Sequence, residues 1–232
     1  MVKPNREAES RGNSTRYHPE PTRPDGRAYL SHCSYHKCLT VYYRRVVDAV
    51  FNRLQPWGRG YRHFNSHLED FYENFRKYRI ASVNNRSLDL TRLGEFRITR
   101  FLRDPRDLMV SGYFYHKRGA EPWTLLQSPT ADDWYFANGF IPENLRRSRK
   151  SFADYLQSLS LEEGLLAELE FRRWHFESMA KWPDKHPHIL TQRYEDIVGR
   201  EIAAFRRIFD FYGLGAIEKR LGLWFVNRHS LN

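Results

Sequence analysis

The spacing of hydrophobic residues changes at about residue 27. Residues 1 to 26 contain no leucine, isoleucine or phenylalanine, and their prolines interrupt any regular element. A segment of this composition cannot bury enough apolar surface to offset the entropy that ordering costs. We therefore predict a flexible polar leader over residues 1 to 26 and one folded domain over residues 27 to 232.

A strand, a short polar turn and a helix open the folded part. "AYLSHC" is a short, mostly apolar run that predicts a strand, and the turn after it contains Lys37. Hydrophobic side chains then recur at helical spacing, while charged side chains occupy the other face. The apolar helix positions are Leu39, Tyr43, Val46, Val47, Val50 and Leu54.

The same order of elements returns in "FRITRFLRDPRDLMVSGYFYHK". Its first part predicts a strand. Asp104 is then a good N-cap, Pro105 suits the first position of a helix, and Asp107 favours the positive end of the helix dipole. We predict a second helix from this cap to about Lys117.

The rest of the chain alternates between strand and helix patterns. "RIASVNN" and "HILTQRYEDI" predict two more strands, and Ser160 with Glu163 forms a capping box for a long helix that Pro183 stops. "REIAAFRRIFDFYG" and "EKRLGLWFVN" predict two closing helices, and residues 119 to 147 predict a long loop or lid. Strands separated by helices imply an α/β fold with a mostly parallel central sheet flanked by helices on both faces.

Charge and cysteine content narrow the classes of partner. The net charge of +10 and the pI near 9.7 indicate a surface that attracts anions. The spacing of Cys33 and Cys38 fits neither a disulfide framework nor a metal knuckle, so we expect small buried side chains. No apolar run approaches the roughly 20 residues that span a bilayer, and no signal sequence is recognisable. We expect a soluble, cytoplasmic protein without a membrane span.

Two anion sites are predicted where strands lead into helices, because ligands of such sheets bind at the carboxyl ends of the strands. In the first, backbone N–H groups of "HKCLT" lack helical partners, while Lys37 adds a charge and Thr40 a hydroxyl. In the second, Arg103 could fold back toward Ser111, two turns into the helix, and grip one phosphate. Simpler alternatives remain open for both: Lys37 as an ordinary surface lysine, and Arg103 paired with Asp104 or Asp107.

"SYHKCLTVYY", "FLRDPRDLMVSGYFYHK" and "ILTQRYEDI" together resemble the sulfotransferases that use 3'-phosphoadenosine 5'-phosphosulfate (PAPS) as sulfonyl donor. The resemblance covers about residues 28 to 213 and implies a P-loop NTPase-like sulfotransferase fold, with 3'-phosphoadenosine 5'-phosphate (PAP) as product. It departs from the family pattern where Leu39 replaces the loop glycine and Val41 replaces a threonine. The implied donor-binding residues are His36, Lys37, Cys38, Leu39 and Thr40 at the phosphosulfate, Tyr42 and Tyr194 near the adenine, and Arg103 and Ser111 at the 3'-phosphate.

The catalytic residues are less evident than the donor site. Lys37 is expected to stabilise the leaving phosphate, and that scheme requires no metal. The strand that often carries the family's histidine base ends here in Asn84 and Asn85, and neither can accept a proton. We rank His67 first as general base, followed by Glu69 and His63. A zinc site at His63 and His67 is a weaker interpretation of their spacing. The lid aromatics could line an acceptor pocket or pack the lid on the core: Trp123, Trp134, Tyr135 and Phe136.

The predicted function is transfer of a sulfonyl group from PAPS to a hydroxyl or amine of a small-molecule or carbohydrate acceptor. A P-loop-type nucleotide kinase is the nearest rival, but the sequence lacks G-x-x-x-x-G-K-[ST]. A basic nucleic-acid-binding protein is the rival from another class; we expect no nucleic-acid partner. The resemblance also implies a basic, glycine-containing loop after the closing helices. Since the sequence ends at "NRHSLN", we expect either a truncated chain or a dispensable loop.

Overall fold

A computed structural model describes residues 26 to 54, 59 to 137 and 139 to 229. The predicted leader over residues 1 to 26 falls almost wholly outside the described residues. The strands are β1 (Tyr29–Ser34), β2 (Tyr61–His63), β3 (Ile80–Asn84), β4 (Phe96–Leu102) and β5 (Ile189–Arg193). The α-helices are α1 (Thr40–Leu54), α2 (Leu68–Asn74), α3 (Pro105–Lys117), α4 (Glu143–Ser148), α5 (Phe152–Gln157), α6 (Leu161–Ala180), α7 (Tyr194–Ile197), α8 (Glu201–Phe211) and α9 (Ala216–Arg228).

The strands form one sheet in the order β2-β3-β1-β4-β5, and every neighbouring pair is parallel. Leu30 of β1 lies beside Ile80 of β3 on one side and Arg97 of β4 on the other. Parallel neighbours need crossover connections, and here helices supply them. Since all strands run the same way, their carboxyl ends meet at one edge of the sheet.

Alternate residues of the strands face two different groups of helices. The α1 core cluster joins Leu30 and Phe101 of the sheet to α1, α8 and α9, and the α2 core cluster joins Cys33 and Ile98 to α2. Both faces of the sheet are therefore covered, which confirms the predicted α/β class. The clusters are represented by Val46, Val50, Phe205 and Phe209 for the first, and by Phe71, Phe75, Val83 and Trp182 for the second.

A third cluster, the lid core cluster, lies beside the sheet between α3, α5, α6 and the segment after α3. Tyr113, Trp134, Phe152 and Phe171 are its fully buried aromatic members. The predicted lid over residues 119 to 147 is thus anchored by its own hydrophobic contacts. It contains short helical turns at Pro122–Leu125 and Tyr135–Ala137, followed by α4.

Local signals in the sequence correctly placed several helix ends. The Asp104 carboxylate accepts a hydrogen bond from the N–H of Arg106 and caps α3, with Pro105 in its first turn. Ser160 and Glu163 form the reciprocal capping box of α6. Cys33 and Cys38 are buried free thiols, as expected. Within the described residues, no helix combines the length and apolar character needed to cross a membrane.

Candidate functional site

The two predicted anion sites meet at the carboxyl edge of the sheet. The loop with Lys37 follows β1, and the turn with Arg103 follows β4, which pairs directly with β1. A hydrogen bond links them, since the Arg103 Nη1 donates to the carbonyl oxygen of Lys37 over 3.3 Å. The fold therefore brings the two motifs, which are far apart in sequence, into contact at one edge of the sheet.

The β1–α1 loop takes its shape from two residues in the left-handed region. Lys37 has φ of 68° and Leu39 has φ of 59°, although neither is glycine. The N–H of Cys38 donates to the carbonyl oxygen of Tyr35, and the N–H of His36 donates to the Asn85 side chain. The Leu39 side chain packs on the α1 core cluster. The loop is thus a tight turn before a helix N-terminus, built without glycine.

Thr40 closes this turn from the helix side. Its hydroxyl is 2.8 Å from the Ser34 hydroxyl and donates to the carbonyl oxygen of Tyr35 over 3.2 Å. The N–H groups of the first turn of α1 have no intrahelical partners and are directed out of the helix end. The residue therefore holds the loop in a form that presents backbone donors at the site.

The Lys37 ammonium lies at the centre of a positively charged environment. Its Nζ is 3.9 Å from the centre of the Tyr115 ring. The pKa of Lys37 is lowered, first by burial and then by the charges of Arg118 and Arg103, while Glu121 acts in the opposite direction. The neighbouring positive charges that disfavour the charge of Lys37 would favour a bound anion.

Arg103 does not pair with the carboxylates next to it in sequence. Its guanidinium lies over the Tyr194 ring at 4.1 Å, and its Nε is buried without a hydrogen-bond partner among the described residues. Asp104 pairs with Arg106 instead. The interpretation of Arg103 as the partner of Asp104 or Asp107 is therefore wrong.

Ser111, Cys38 and Tyr42 are also predicted to bind the donor. Ser111 is half-buried on α3 and makes no hydrogen bond with Arg103. Cys38 is fully buried. Tyr42 is 5% exposed, packs on Phe205 and donates its hydroxyl to the carbonyl oxygen of Val226. Stacking on adenine would require the Tyr42 ring to face a ligand, so the structure offers no support for that part of the prediction.

The general bases ranked from the sequence lie in two separate grooves. His67 is exposed, stacks on Tyr135 at 4.9 Å and lines an open groove of about 600 Å³ together with Glu69. The Glu69 carboxylate forms a bidentate ion pair with Arg92. His63 faces another groove, and burial lowers its pKa to about 3. Within the described residues none of the three contacts the Lys37 loop, and their catalytic role stays a prediction.

A cavity of about 180 Å³ lies between the Lys37 loop and the lid. Trp123, Tyr135 and Phe136 line it, in agreement with one of the two interpretations of the lid aromatics. Trp134 is fully buried in the lid core cluster and follows the other. The polar residues of the wall include His36 and Glu121. The cavity shares Ser66, Asn85 and Tyr135 with the larger open groove.

A buried chain of charged groups stands behind this cavity. The Nε2 of His36 is 3.4 Å from the Glu121 carboxylate, and its Nδ1 is 3.0 Å from the Arg172 guanidinium. The Arg172 Nε donates to Glu168 over 2.8 Å, and the same carboxylate is 2.8 Å from the Nδ1 of His116. Arg172, Glu168 and His116 are completely buried. We call this set the His36–Glu168 network.

The network fixes the protonation of His36. A guanidinium can only donate, so the Nδ1 of His36 accepts from Arg172 and the ring proton lies on Nε2, facing Glu121. Burial lowers the pKa of His36 to about 4. Burial alone would raise the pKa of Glu121, but hydrogen bonds from His36 and Trp123 hold it at about 2. Neutral imidazole and ionised carboxylate are therefore the resting forms.

His36, His116 and Glu121 also present potential metal-ligand atoms within 4.8 Å of one another. A metal would need a lone pair on the Nε2 of His36, where the contact with Arg172 places a proton. The Arg172 charge would also repel a cation. The donor set thus fits a metal poorly in this arrangement.

The sequence did not reveal this network. The sequence indicates His36 only as part of the loop, and Glu121 is one charged residue in a lid of mixed composition. Their contact depends on how the lid folds back over the β1–α1 loop, which no local spacing encodes. The acidic residue directly before "PW" in the lid was the one available signal.

Comparisons with known proteins give similarity only at the level of structure. No family model and no curated protein matches the chain. Mouse sulfotransferase SULT7A1 complexed with PAP is 14% identical, with a TM-score of 0.44 over 84% of this chain and 63% of that chain. Retinol dehydratase in complex with androsterone and the inactive cofactor PAP is 17% identical, with a TM-score of 0.41 over 84% of this chain and 63% of that chain. Retinol dehydratase in a complex with retinol and PAP is 17% identical, with a TM-score of 0.41, covering 86% and 64%.

The chain therefore spans 63% to 64% of the length of these structures. One of them is named as a sulfotransferase, and all three contain PAP.

Proposed function

We propose that the protein is a sulfotransferase that transfers a sulfonyl group from PAPS to a hydroxyl or amine of a small-molecule or carbohydrate acceptor by in-line displacement. One observation carries the proposal: a buried Arg103 Nε without a partner, on a guanidinium that spans from the Tyr194 ring to the Lys37 loop. Buried donors are rarely left unpaired, and the arginine fork matches phosphate oxygens. This orphaned donor therefore fits a phosphate of the donor nucleotide.

The site residues divide the binding work between the two ends of such a ligand. Arg103 and, as the resemblance implies, Ser111 hold the 3'-phosphate, with Tyr194 beside the adenine. The N–H groups of Lys37, Leu39 and Thr40 and the Lys37 ammonium bind the 5'-phosphate. The N–H groups of His36 and Cys38 and the Thr40 hydroxyl are engaged within the protein and fix the shape of the loop. PAPS, when bound, supplies the sulfonyl group and a phosphate as leaving group.

Lys37 has the central role in transfer. Its ammonium stabilises the charge that grows on the leaving phosphate, in a half-buried position where electrostatic interactions are stronger than in water. The aromatic cavity beside the loop holds the acceptor close to this point and excludes water from it. No step of this scheme is routed through a metal.

Ligand-induced stabilisation separates the proposal from its rivals. A ligand that binds only the folded state at a hundred times its Kd stabilises the protein by about 2.7 kcal/mol. We expect PAP to raise the Tm, and a short oligonucleotide to leave it unchanged. A rise with ATP and magnesium but not with PAP would favour a P-loop-type kinase, and a rise with the oligonucleotide alone would favour a nucleic-acid-binding protein.

Transfer itself is tested with labelled PAPS and a panel of hydroxyl and amine acceptors. Lys37→Ala is expected to lower the transfer rate by at least about a hundredfold, because one preorganised charge on the leaving group is lost. Lys150→Ala is the matched control, since Lys150 is exposed and is not among the residues of the candidate site. Equal rates in the two variants would contradict the role of Lys37.

A further inference from the structure

We propose that Glu121 is the general base that takes the proton from the acceptor. The inference rests on the proposed function and deepens it by assigning the missing catalytic residue. Glu121 supplies the only carboxylate among the described residues that line the 180 Å³ cavity. Its side chain is 30% exposed there, so a ligand in the cavity can touch it.

The contacts of Glu121 leave one of its oxygens available. The Trp123 Nε1 donates to Oε2 over 2.7 Å, and the Nε2 of His36 lies 3.4 Å from the same oxygen. Oε1 accepts no hydrogen bond from any described residue. Two donors on one oxygen fix the orientation of the carboxylate, and the second oxygen is left for a proton donor in the cavity.

The other titratable groups of the cavity are less suited to accept a proton. Both nitrogens of His36 are engaged, one by Arg172 and the other by its own proton directed at Glu121. Tyr135 offers a phenol hydroxyl, which accepts a proton far less readily than a carboxylate. His175 is 1% exposed and lies against the rings of Phe171 and Trp174.

Glu121 also lies close to the group that receives the other charge of the reaction. Its carboxylate is near enough to Lys37 to raise the pKa of that lysine, against the effects of burial and the neighbouring arginines. The acceptor oxygen would thus lie between a proton acceptor and the sulfonyl group that Lys37 helps to release. This is the arrangement that an in-line displacement requires.

The acceptor oxygen forms a bond to sulfur while the bond from sulfur to the phosphate oxygen of PAPS breaks, and its electron pair leaves with PAP. The proton of the acceptor hydroxyl moves to Oε1 of Glu121 and is later released to solvent. His36 and Trp123 keep their hydrogen bonds to Oε2 throughout and act as positioning residues.

Glu121→Gln tests the assignment, because glutamine retains the shape and an oxygen for His36 and Trp123 but cannot take the proton. We expect the kcat for an unsubstituted phenol, whose pKa is near 10, to fall about a hundredfold. A nitrophenol that is already ionised at the assay pH needs no base, and we expect its kcat to fall less than about threefold. Binding of PAP, measured by calorimetry, should change by less than about twofold.

Glu143→Gln is the matched control, because Glu143 is a lid glutamate that pairs with Arg146 and Arg147 outside the cavity. It should retain wild-type kcat for both acceptors. An equal loss for both acceptors in Glu121→Gln would indicate a structural role and overturn the proposal, as would no loss for either. A selective loss in His67→Gln instead would transfer the role to His67.

A second variant of Glu121 and two measurements of binding distinguish the remaining outcomes. If Glu121→Gln does not fold, Glu121→Asp keeps the carboxylate but draws it back by one methylene, and the same difference between acceptors is expected. Equal rates for that variant and wild type would overturn the proposal. A wild-type protein that binds no PAP and transfers nothing would refute the proposed function itself. One equivalent of a divalent metal, lost in His116→Ala, would refute the Glu121 assignment alone.

Discussion

At the residue scale, the β1–α1 loop depends on a leucine held in the left-handed region. Leu39 has φ of 59°, and its side chain packs on the α1 core cluster. An L-residue in this region costs about 1 to 2 kcal/mol, because its Cβ crowds the following carbonyl oxygen. Burial of the apolar side chain offsets part of this cost. The loop therefore keeps a turn that usually favours glycine while also anchoring the start of α1.

Substitutions of Leu39 should reverse the usual order of alanine and glycine. Both Leu39→Ala and Leu39→Gly lose the apolar contacts, but only glycine is free of the left-handed strain. We expect the free energy of unfolding of Leu39→Gly to exceed that of Leu39→Ala by about 1 kcal/mol. Urea unfolding of the two variants measures the difference.

Val41 provides the control for that comparison. It is 58% exposed in the first turn of α1, where the backbone is helical. At this position alanine should be more stable than glycine by about 0.5 to 1 kcal/mol. The same order at both positions would contradict the account of the loop.

Arg103 should contribute to the affinity of the proposed donor site. Arg103→Ala removes a half-buried guanidinium whose Nε has no hydrogen-bond partner among the described residues. A hydrogen bond to a charged group contributes about 1.5 to 3 kcal/mol, so PAP affinity should fall about tenfold to a hundredfold. Arg106→Ala is the control, because Arg106 is exposed and pairs with Asp104. Calorimetric titration with PAP should separate the two variants, and equal affinities would remove Arg103 from the site.

The residues of the site differ in how far sequence alone could place them. Lys37 and Arg103 follow strands directly, so the parallel sheet was enough to bring their loops together. Tyr42 has an amphipathic side chain, and its burial depends on contacts with α8 and α9 that lie far away in sequence. The same holds for the contact of Glu121 with His36. Tertiary contacts of this kind have no local signature.

At the element scale, α3 and α6 are joined by the buried part of the His36–Glu168 network. Gly112 of α3 lies against the Glu168 carboxylate and the Arg172 guanidinium, and a Cβ at this position would overlap both. Removing or displacing one partner of a buried ion pair leaves an uncompensated charge. A glycine within a helix is here required by the approach of a charged pair.

Gly112→Ala should therefore destabilise the protein although alanine is the better helix former. We expect the free energy of unfolding to fall by about 3 kcal/mol, in line with the disruption of buried ion pairs. Val110→Ala, at a position of the same helix that is 41% exposed, should change it by less than about 0.5 kcal/mol. A stabilised Gly112→Ala protein in thermal or urea unfolding would show that helix propensity dominates at this site.

Elements with local end signals were predicted well, and short elements without them were not. Both α3 and α6 begin at caps that a few neighbouring residues specify. β2 covers only Tyr61–His63, which is too short for a strand pattern to show in the sequence. Its strand form depends on pairing with β3, which is absent from any local pattern.

At the scale of the whole molecule, the lysines and arginines carry the positive charge, whereas five of the described histidines are held neutral. Their pKa values are lowered, with burial as the largest cause in each case. The excess of lysine and arginine was evident from composition, but the burial of histidines was not, since histidine is common at surfaces. The set consists of His32, His116 and His175, which are buried, and of His36 and His63, which are half-buried.

These histidines should make the fold sensitive to mild acid. In the unfolded chain they take up protons below pH about 6.5, whereas in the folded protein His36 stays neutral down to about 4. The unfolded state therefore binds more protons in this window, and stability falls as the pH decreases. Each histidine that stays neutral in the folded protein lowers the free energy of unfolding by up to about 1.4 kcal/mol for every pH unit below its unfolded pKa.

We expect the free energy of unfolding, measured by urea titration, to be nearly constant above pH about 7 and to fall steeply from pH about 6.5 to 5. His63→Gln should flatten this fall by up to about 1.4 kcal/mol per pH unit, because one buried group no longer titrates differently in the two states. His186 is half-buried beside Phe96 and lies outside this set, and we expect His186→Gln to leave the slope unchanged. If His63→Gln and wild type showed the same slope, the fall would have to come from carboxylates such as Glu121, whose pKa lies lower, and the histidine account would be wrong.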